Sequence, residues 1–294
     1  MRRNKPARGL SQAENEWYDQ QVSKFSWVTQ QAQFISNHIG RQIANPRQGY
    51  GSWLWIRACV TSASLIRLFE PHVEGNARYL DHASIAALSR ALIETIATCI
   101  YISDQSVGDE EWTARKLIMH LNDLINRRTF LGQIGQLHEG NSKEIEADLR
   151  EKLNANPAFM ALTKDQRGKI LNGSNMFLHG RHKTMLAFGW GDDITGGVYK
   201  YLSAHAHSTA MAFARTEANR IYEPDSNASK VTAGFALDHA AKALGTGCIH
   251  MVNLFPYVEA SFDELVFISL KRDYPAPTTT NVPLRDSSLD IGPQ

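Results

Sequence analysis

The amino-acid sequence predicts an all-α protein, a bundle of about six to eight helices, and three observations carry that expectation. Apolar residues recur at spacings of three and four over long runs, as in Tyr18, Val22, Phe25, Val28, Ala32, Ile35 and Ile39. No stretch of useful length alternates apolar and polar residues, and no internal repeat is present. Capping residues and stops bound several of the runs, as Ser11 with Glu14, Asp81 and Pro71 do.

Taken in order, Ser11 with Glu14 forms a capping box for a helix over 11–39. The segment ANPRQGYG reads as a loop, Ser52 as the next cap, and WLWIRACVTSASLIRLFE as a helix that Pro71 stops. Asp81 caps a third helix through Ser103, and Asp109, Glu110 and Glu111 open a fourth that runs to about Gln136. A charged helix over 142–153 and a brief one capped by Thr163 and Gln166, stopped by Asn172-Gly173, are expected at the periphery. Residues 173–196, with five glycines and no clean period, read as an irregular segment of the kind that often carries function. A helix from 197 to about Tyr222, another from about Ser229 to Phe255 and a last one signed by Ser261 and Glu264 complete the bundle. The expected organisation is a basic arm over 1–10, one helical domain over 11–270 and a polar, proline-rich tail over 271–294.

Composition narrows the function classes. The chain has 294 residues, 43% hydrophobic and 21% charged, an ordinary soluble profile. Thirty-one basic against thirty acidic side chains leave no global field to attract nucleic acid or an anionic membrane, although MRRNKPAR concentrates four cations. The polar stretch after those cations argues against a signal peptide, and Arg90 and Glu94 near the centre of the most apolar window argue against a membrane span, so a cytoplasmic location is expected. Cys59, Cys99 and Cys248 are far apart and read as buried thiols. GWGDDITGG lacks the lysine of a P-loop and follows no predicted strand, so no cofactor is expected.

The residues that point to chemistry are few. Across Ala83 to Ile102 the only charged residues are Arg90 and Glu94, four apart on one face of a helix apolar all round. Burial would force them to pair, and breaking a buried pair would cost about 3–5 kcal/mol. Lys200, Ser203 and His207 share a face at spacings of three and four, whereas His205 projects about 160° from His207. Two histidines so placed cannot serve one small metal site. The expectation is therefore that His207 turns inward to join Arg90 and Glu94, and that His205 makes another contact. Tyr199 and Tyr201 read first as packing residues, with Tyr199 also a member of the candidate cluster. His179 with His182, and His120 with Asp123, have ligand-like spacing, but no H-E-x-x-H or E-x-x-H motif supports them and no metal is expected.

R-A-L-I-E at 90–94 and Y-K-Y-L-S-A-H-A-H at 199–207 resemble a family of bacterial helical domains of unknown function. Its pattern is R-x-x-x-E, then tyrosine, a basic residue, two residues, serine, three residues and histidine; Arg90, Glu94, Tyr199, Lys200, Ser203 and His207 match it. The resemblance covers roughly residues 50 to 255. Such domains are similar to the HEPN superfamily, many members of which are RNA-cutting toxins or phage-defence effectors with an arginine, four to six residues, then a histidine. In that chemistry histidine is the acid or base, arginine stabilises phosphorane charge, and the site commonly spans a homodimer. Lys200 has that spacing to His207 but carries the wrong cation. The literal arginine matches, Arg67 to His72 and Arg115 to His120, are no more numerous than chance gives; Pro71 interrupts the first, and the second reads as a solvated charged face. Two functions follow as expectations. One is a binding module, a component of stress or defence systems, whose cluster is structural and whose 173–196 segment recognises a protein or RNA. The other is a metal-independent ribonuclease using His207 and Lys200.

Overall fold

A computed structural model describes residues 12–69, 72–74, 77–136, 142–207, 209–213, 226–274 and 276. The basic arm over 1–10, Ser11, Pro71, most of the tail and the stretch to Tyr222 lie outside the described residues. The fold is all-α. Among the described residues nine helices have seven or more residues. Among the described residues the one departure is a hairpin of two three-residue antiparallel strands, β1 (His72–Glu74) and β2 (Ala77–Tyr79).

The first helix, α1 (Gln12–Ile39), buries Tyr18, Phe25, Val28, Ala32, Ile35 and Ile39, the stripe its periodicity marks. Next comes α2 (Pro46–Ile66), which starts well ahead of Ser52. Asn45 is its cap, accepting from the Gln48 N–H at 3.0 Å, with Pro46 in the first turn. Gly51, which looked like a loop residue, is a contact position: a β-carbon there would lie 2.8 Å from the Leu254 side chain. Asp81 caps α3 (His82–Ser103) as expected, accepting from the Ser84 N–H at 3.0 Å. Acidic first-turn residues open α4 (Asp109–Gln133).

Four short helices follow: α5 (Ser142–Asn154), α6 (Pro157–Met160), α7 (Lys164–Leu171) with the expected Thr163–Gln166 capping box, and α8 (Arg181–Met185). The next, α9 (Asp192–Ala206), starts earlier than 197 and stops far short of Tyr222, its last turn closed by His207 and succeeded by α10 (Ala210–Phe213). Ser226 caps α11 (Asn227–Leu254). Asp263, not Ser261, caps α12 (Glu264–Asp273), accepting from the amides of both Leu265 and Val266. Ordered packing continues past residue 270: Arg272 and Asp273 are helical and Tyr274 is buried beside Gly245, where any side chain would overlap its ring.

Two apolar clusters hold the fold. The larger joins α1, α2, α3, α9, α11 and α12 around Phe25, Ile35, Trp55, Ile96 and Leu244. The smaller joins the end of α3 to α4, α5, α6 and α7 through Tyr101, Ile118, Leu153, Phe159 and Ile170. The short helices expected at the periphery thus build a core of their own. Leu54 touches both clusters. The three cysteines are buried free thiols, and burial pushes Cys59 and Cys99 up to about 12. By length and composition α3 could cross a membrane, yet 67% of that apolar window is buried inside the fold.

Candidate functional site

Helix α3 is apolar on every side because α2, α9 and α11 surround it. Its two charged residues meet the exception, the seam where α8 and α9 cross it. There Arg90 and Glu94 pair at 3.5 Å, one helical turn apart, with side chains 19% and 32% exposed. Complete burial does not occur, because the seam opens on solvent. The cost expected of a fully buried pair does not transfer to this one.

Tyr199 on α9 is the hub of the site. Arg90 Nη2 donates to its hydroxyl at 2.7 Å and Arg181 Nη1 donates to it at 2.6 Å. Both guanidiniums also lie over the Tyr199 ring, at 4.7 and 5.2 Å from its centroid. Glu94 faces Arg181 as well, at 3.7 Å from Nε. Arg90 Nη1 lies 3.2 Å from His207 Nε2. A guanidinium has no acceptor, so Nε2 accepts and the imidazole carries its proton on Nδ1.

The structure therefore joins Arg90, Glu94, Tyr199 and His207, as the spacings suggest. Ser203, one turn after Tyr199 on α9, has its hydroxyl buried and without a hydrogen-bond partner, as are Arg90 Nε and Glu94 Oε1. Two expectations need correction. Lys200 is exposed and has no contact with the cluster: the helix turns about 100° from Tyr199 to Lys200, and the Tyr199 ring holds the place above Arg90. His207 is exposed, at the end of α9, while His205 is the buried histidine. His207 still reaches Arg90, because helical side chains lean back toward the N-terminus.

Arg181 was missed. It lies in the irregular segment, where no period assigns a face, and Gly180 fixes its entry with φ 87° and ψ 157°, a conformation nearly exclusive to glycine. The signal was the glycine-flanked arginine itself. Arg90 and Tyr199 also border a narrow crevice of about 10 Å³ whose walls include Ile93, Val198, Leu202 and Trp190. That is about the space of one water and far below the roughly 300–1,000 Å³ of small-molecule sites, so the charged rim is the part able to meet a ligand.

Behind the rim, α9 is seated by a ladder of rings. His82, His205, Tyr201, Phe235, His239, Trp190 and Phe188 follow one another with centroids 5.9, 4.7, 4.9, 4.5, 5.3 and 4.9 Å apart. Tyr201 is the packing residue expected, its hydroxyl 2.9 Å from Thr232 Oγ1. Burial lowers His205 and His82 below the usual histidine value and takes His239 down to about 4.

The other candidates are engaged elsewhere. His120 Nε2 meets the Tyr50 hydroxyl at 2.7 Å, and Asp123 pairs with Arg127 at 2.5 Å. His179 lies 3.9 Å from Glu111. Arg115, expected on a solvated face, is mostly buried, donating to Glu111 and to the Tyr101 carbonyl and stacking on the Tyr101 ring. Among the described residues no three of histidine, cysteine, aspartate and glutamate converge. Compared with known proteins, the chain matches no family model, no curated sequence and no solved structure.

Proposed function

We propose that this protein is a helical recognition module that takes a phosphate-bearing ligand, RNA in the simplest case, on the rim formed by Arg90, Arg181 and His207. One observation carries this: two guanidiniums converge on a single tyrosine hydroxyl at an open seam, where among the described residues one carboxylate, Glu94, offsets two fixed cations. Guanidinium forks match phosphate oxygens. The 173–196 segment, read from sequence as the recognition element, contributes Arg181 to the same rim. Anisotropy titration with a labelled single-stranded RNA tests it. Arg181→Ala should weaken binding roughly tenfold for all sequences and lower the salt slope by about one. Unchanged affinity in both Arg181→Ala and Arg90→Ala would refute it.

The exposed His207 beside Arg90 favours a second reading, a HEPN-like metal-independent ribonuclease. RNA phosphate that recruits Arg90 would free the Nε2 lone pair to take the proton of a ribose 2′-hydroxyl. The 2′-oxygen would then bond to phosphorus as the 5′-oxygen departs with a proton from water, leaving a 2′,3′-cyclic phosphate. Charge stabilisation passes from Lys200, which stands apart, to Arg90 and Arg181. In excess chelator, wild type should cleave RNA, His207→Ala should lose at least a hundredfold, and Lys200→Ala should stay active. Cleavage that survives His207→Ala rules this mechanism out. The setting that goes with it is a stress or phage-defence system.

A further inference from the structure

Helix α2 is buried along one face, yet its opposite face carries Trp53, Ile56 and Val60 at 71, 55 and 63% exposure. They fall at positions i, i+3 and i+7, a stripe about 10 Å long, and Tyr50 extends it by one turn with its ring 6.1 Å from that of Trp53. Isolated apolar residues on a surface are ordinary, but a continuous stripe led by tryptophan is the pattern of a helix that receives another helix. Arg57 lies within the stripe, one turn beyond Trp53 and one before Val60, and is exposed.

Along this part of the chain the charge has one sign. From residue 20 to residue 69 the chain has no aspartate or glutamate, but it has Lys24, Arg41, Arg47, Arg57 and Arg67. Lys24 and Arg47 are paired with Asp238 and Asp109. Arg41, Arg57 and Arg67 are exposed and have no carboxylate partner among the described residues. A second copy of α2 laid on this stripe would bring like-charged arginines together, so self-pairing is disfavoured. Ile56 and Val60 offer no ring to stack a base, so an aliphatic partner suits the stripe better than a nucleic acid.

We infer that the outer face of α2 docks an acidic amphipathic helix of a protein partner, its apolar side on Trp53, Ile56 and Val60 and its carboxylates against Arg57, Arg41 and Arg67. The surface is separate from the Arg90 rim and stands whether or not that rim binds RNA.

The test titrates the full-length protein into a fluorescent helical peptide of about 18 residues, with leucine on one face and glutamate on its flanks. A matched peptide with lysine for glutamate is the control. Saturable binding of the glutamate peptide is expected, weakened at least tenfold by Trp53→Ala. Arg57→Glu should move the preference to the lysine peptide, and Lys200→Ala should leave both peptide affinities unchanged. All three variants alter exposed side chains and leave the core intact. Failure of the glutamate peptide to saturate, equal binding of the two peptides, or competition by an oligouridine that Trp53→Ala abolishes would overturn the proposal. So would a concentration-dependent dimer abolished by Val60→Glu.

Discussion

Tyr199 makes its own contribution measurable, because phenylalanine keeps the ring and removes only the oxygen that two arginines share. Tyr199→Phe should lower stability by about 1–2 kcal/mol in urea unfolding, since two charged donors at 2.7 and 2.6 Å lose their acceptor at a half-exposed site. Glu94→Gln separates scaffold from function. It should cost only about 1 kcal/mol, the scale of a partly exposed pair, while tightening RNA binding because the rim loses the Glu94 charge. A loss of RNA affinity in that variant would mean that Glu94 orients the arginines rather than opposing the ligand. Arg90, Glu94, Tyr199 and His207 were legible because helical spacing gives each side chain a direction. Lys200 was misplaced because shared-face geometry cannot say which of two neighbours meets the partner helix. Arg181 was invisible because a segment without a period assigns no direction at all.

At the scale of elements, close approach explains what spacing could not. Gly245 in α11 lies against the Tyr274 ring, with a hypothetical β-carbon 2.3 Å from it, so Gly245→Ala should lower the unfolding free energy by about 1–3 kcal/mol and the melting temperature with it. The same effect hid the start of α2: Gly49 and Gly51 look like turn residues, yet Gly51 is helical because Leu254 and Ser103 fill the space a side chain would need. Asn45-Pro46 held the correct signal, a cap followed by the residue best suited to the first turn. The end of α9 was overestimated since alanines continue past His207 without a stop residue, and helix propensity alone does not mark where tertiary support runs out. By contrast α1, α3 and α7 were read closely, each having both a clear apolar stripe or cap and a definite stop.

Across the whole molecule, buried histidines set the response to acid. Burial lowers His82 and His205 and takes His239 and His250 down to about 4. Each is neutral in the fold but charges near 6.5 when unfolded, so the unfolded chain binds more protons between those values. Stability should therefore be flat above pH 6.5 and fall progressively toward pH 4, with His239 and His250 each contributing on the order of 2–3 kcal/mol. Chemical unfolding across that range checks the sign, and His239→Phe should flatten part of the slope. Asp238, Lys242 and Lys24 lie near His239, its buried Nδ1 has no partner, and Asp104 lies near His250. None of this was legible beforehand, because a histidine in a helical pattern does not reveal how dry its surroundings will be. The division into two cores was equally hidden: α5 and α7 look polar in sequence, and only their few apolar residues, joined by Phe159 of the four-residue α6 and gathered under α4, make the second one.

The contact between Trp190 and His239, 5.3 Å between ring centres, gives the protein an optical gauge of its own. A charged imidazole quenches a neighbouring indole, so emission from residue 190 should dim as His239 takes up its proton. The part of the six-tryptophan emission change that His239→Phe abolishes would then report when the seat beneath α9 begins to ionise, with no dye attached.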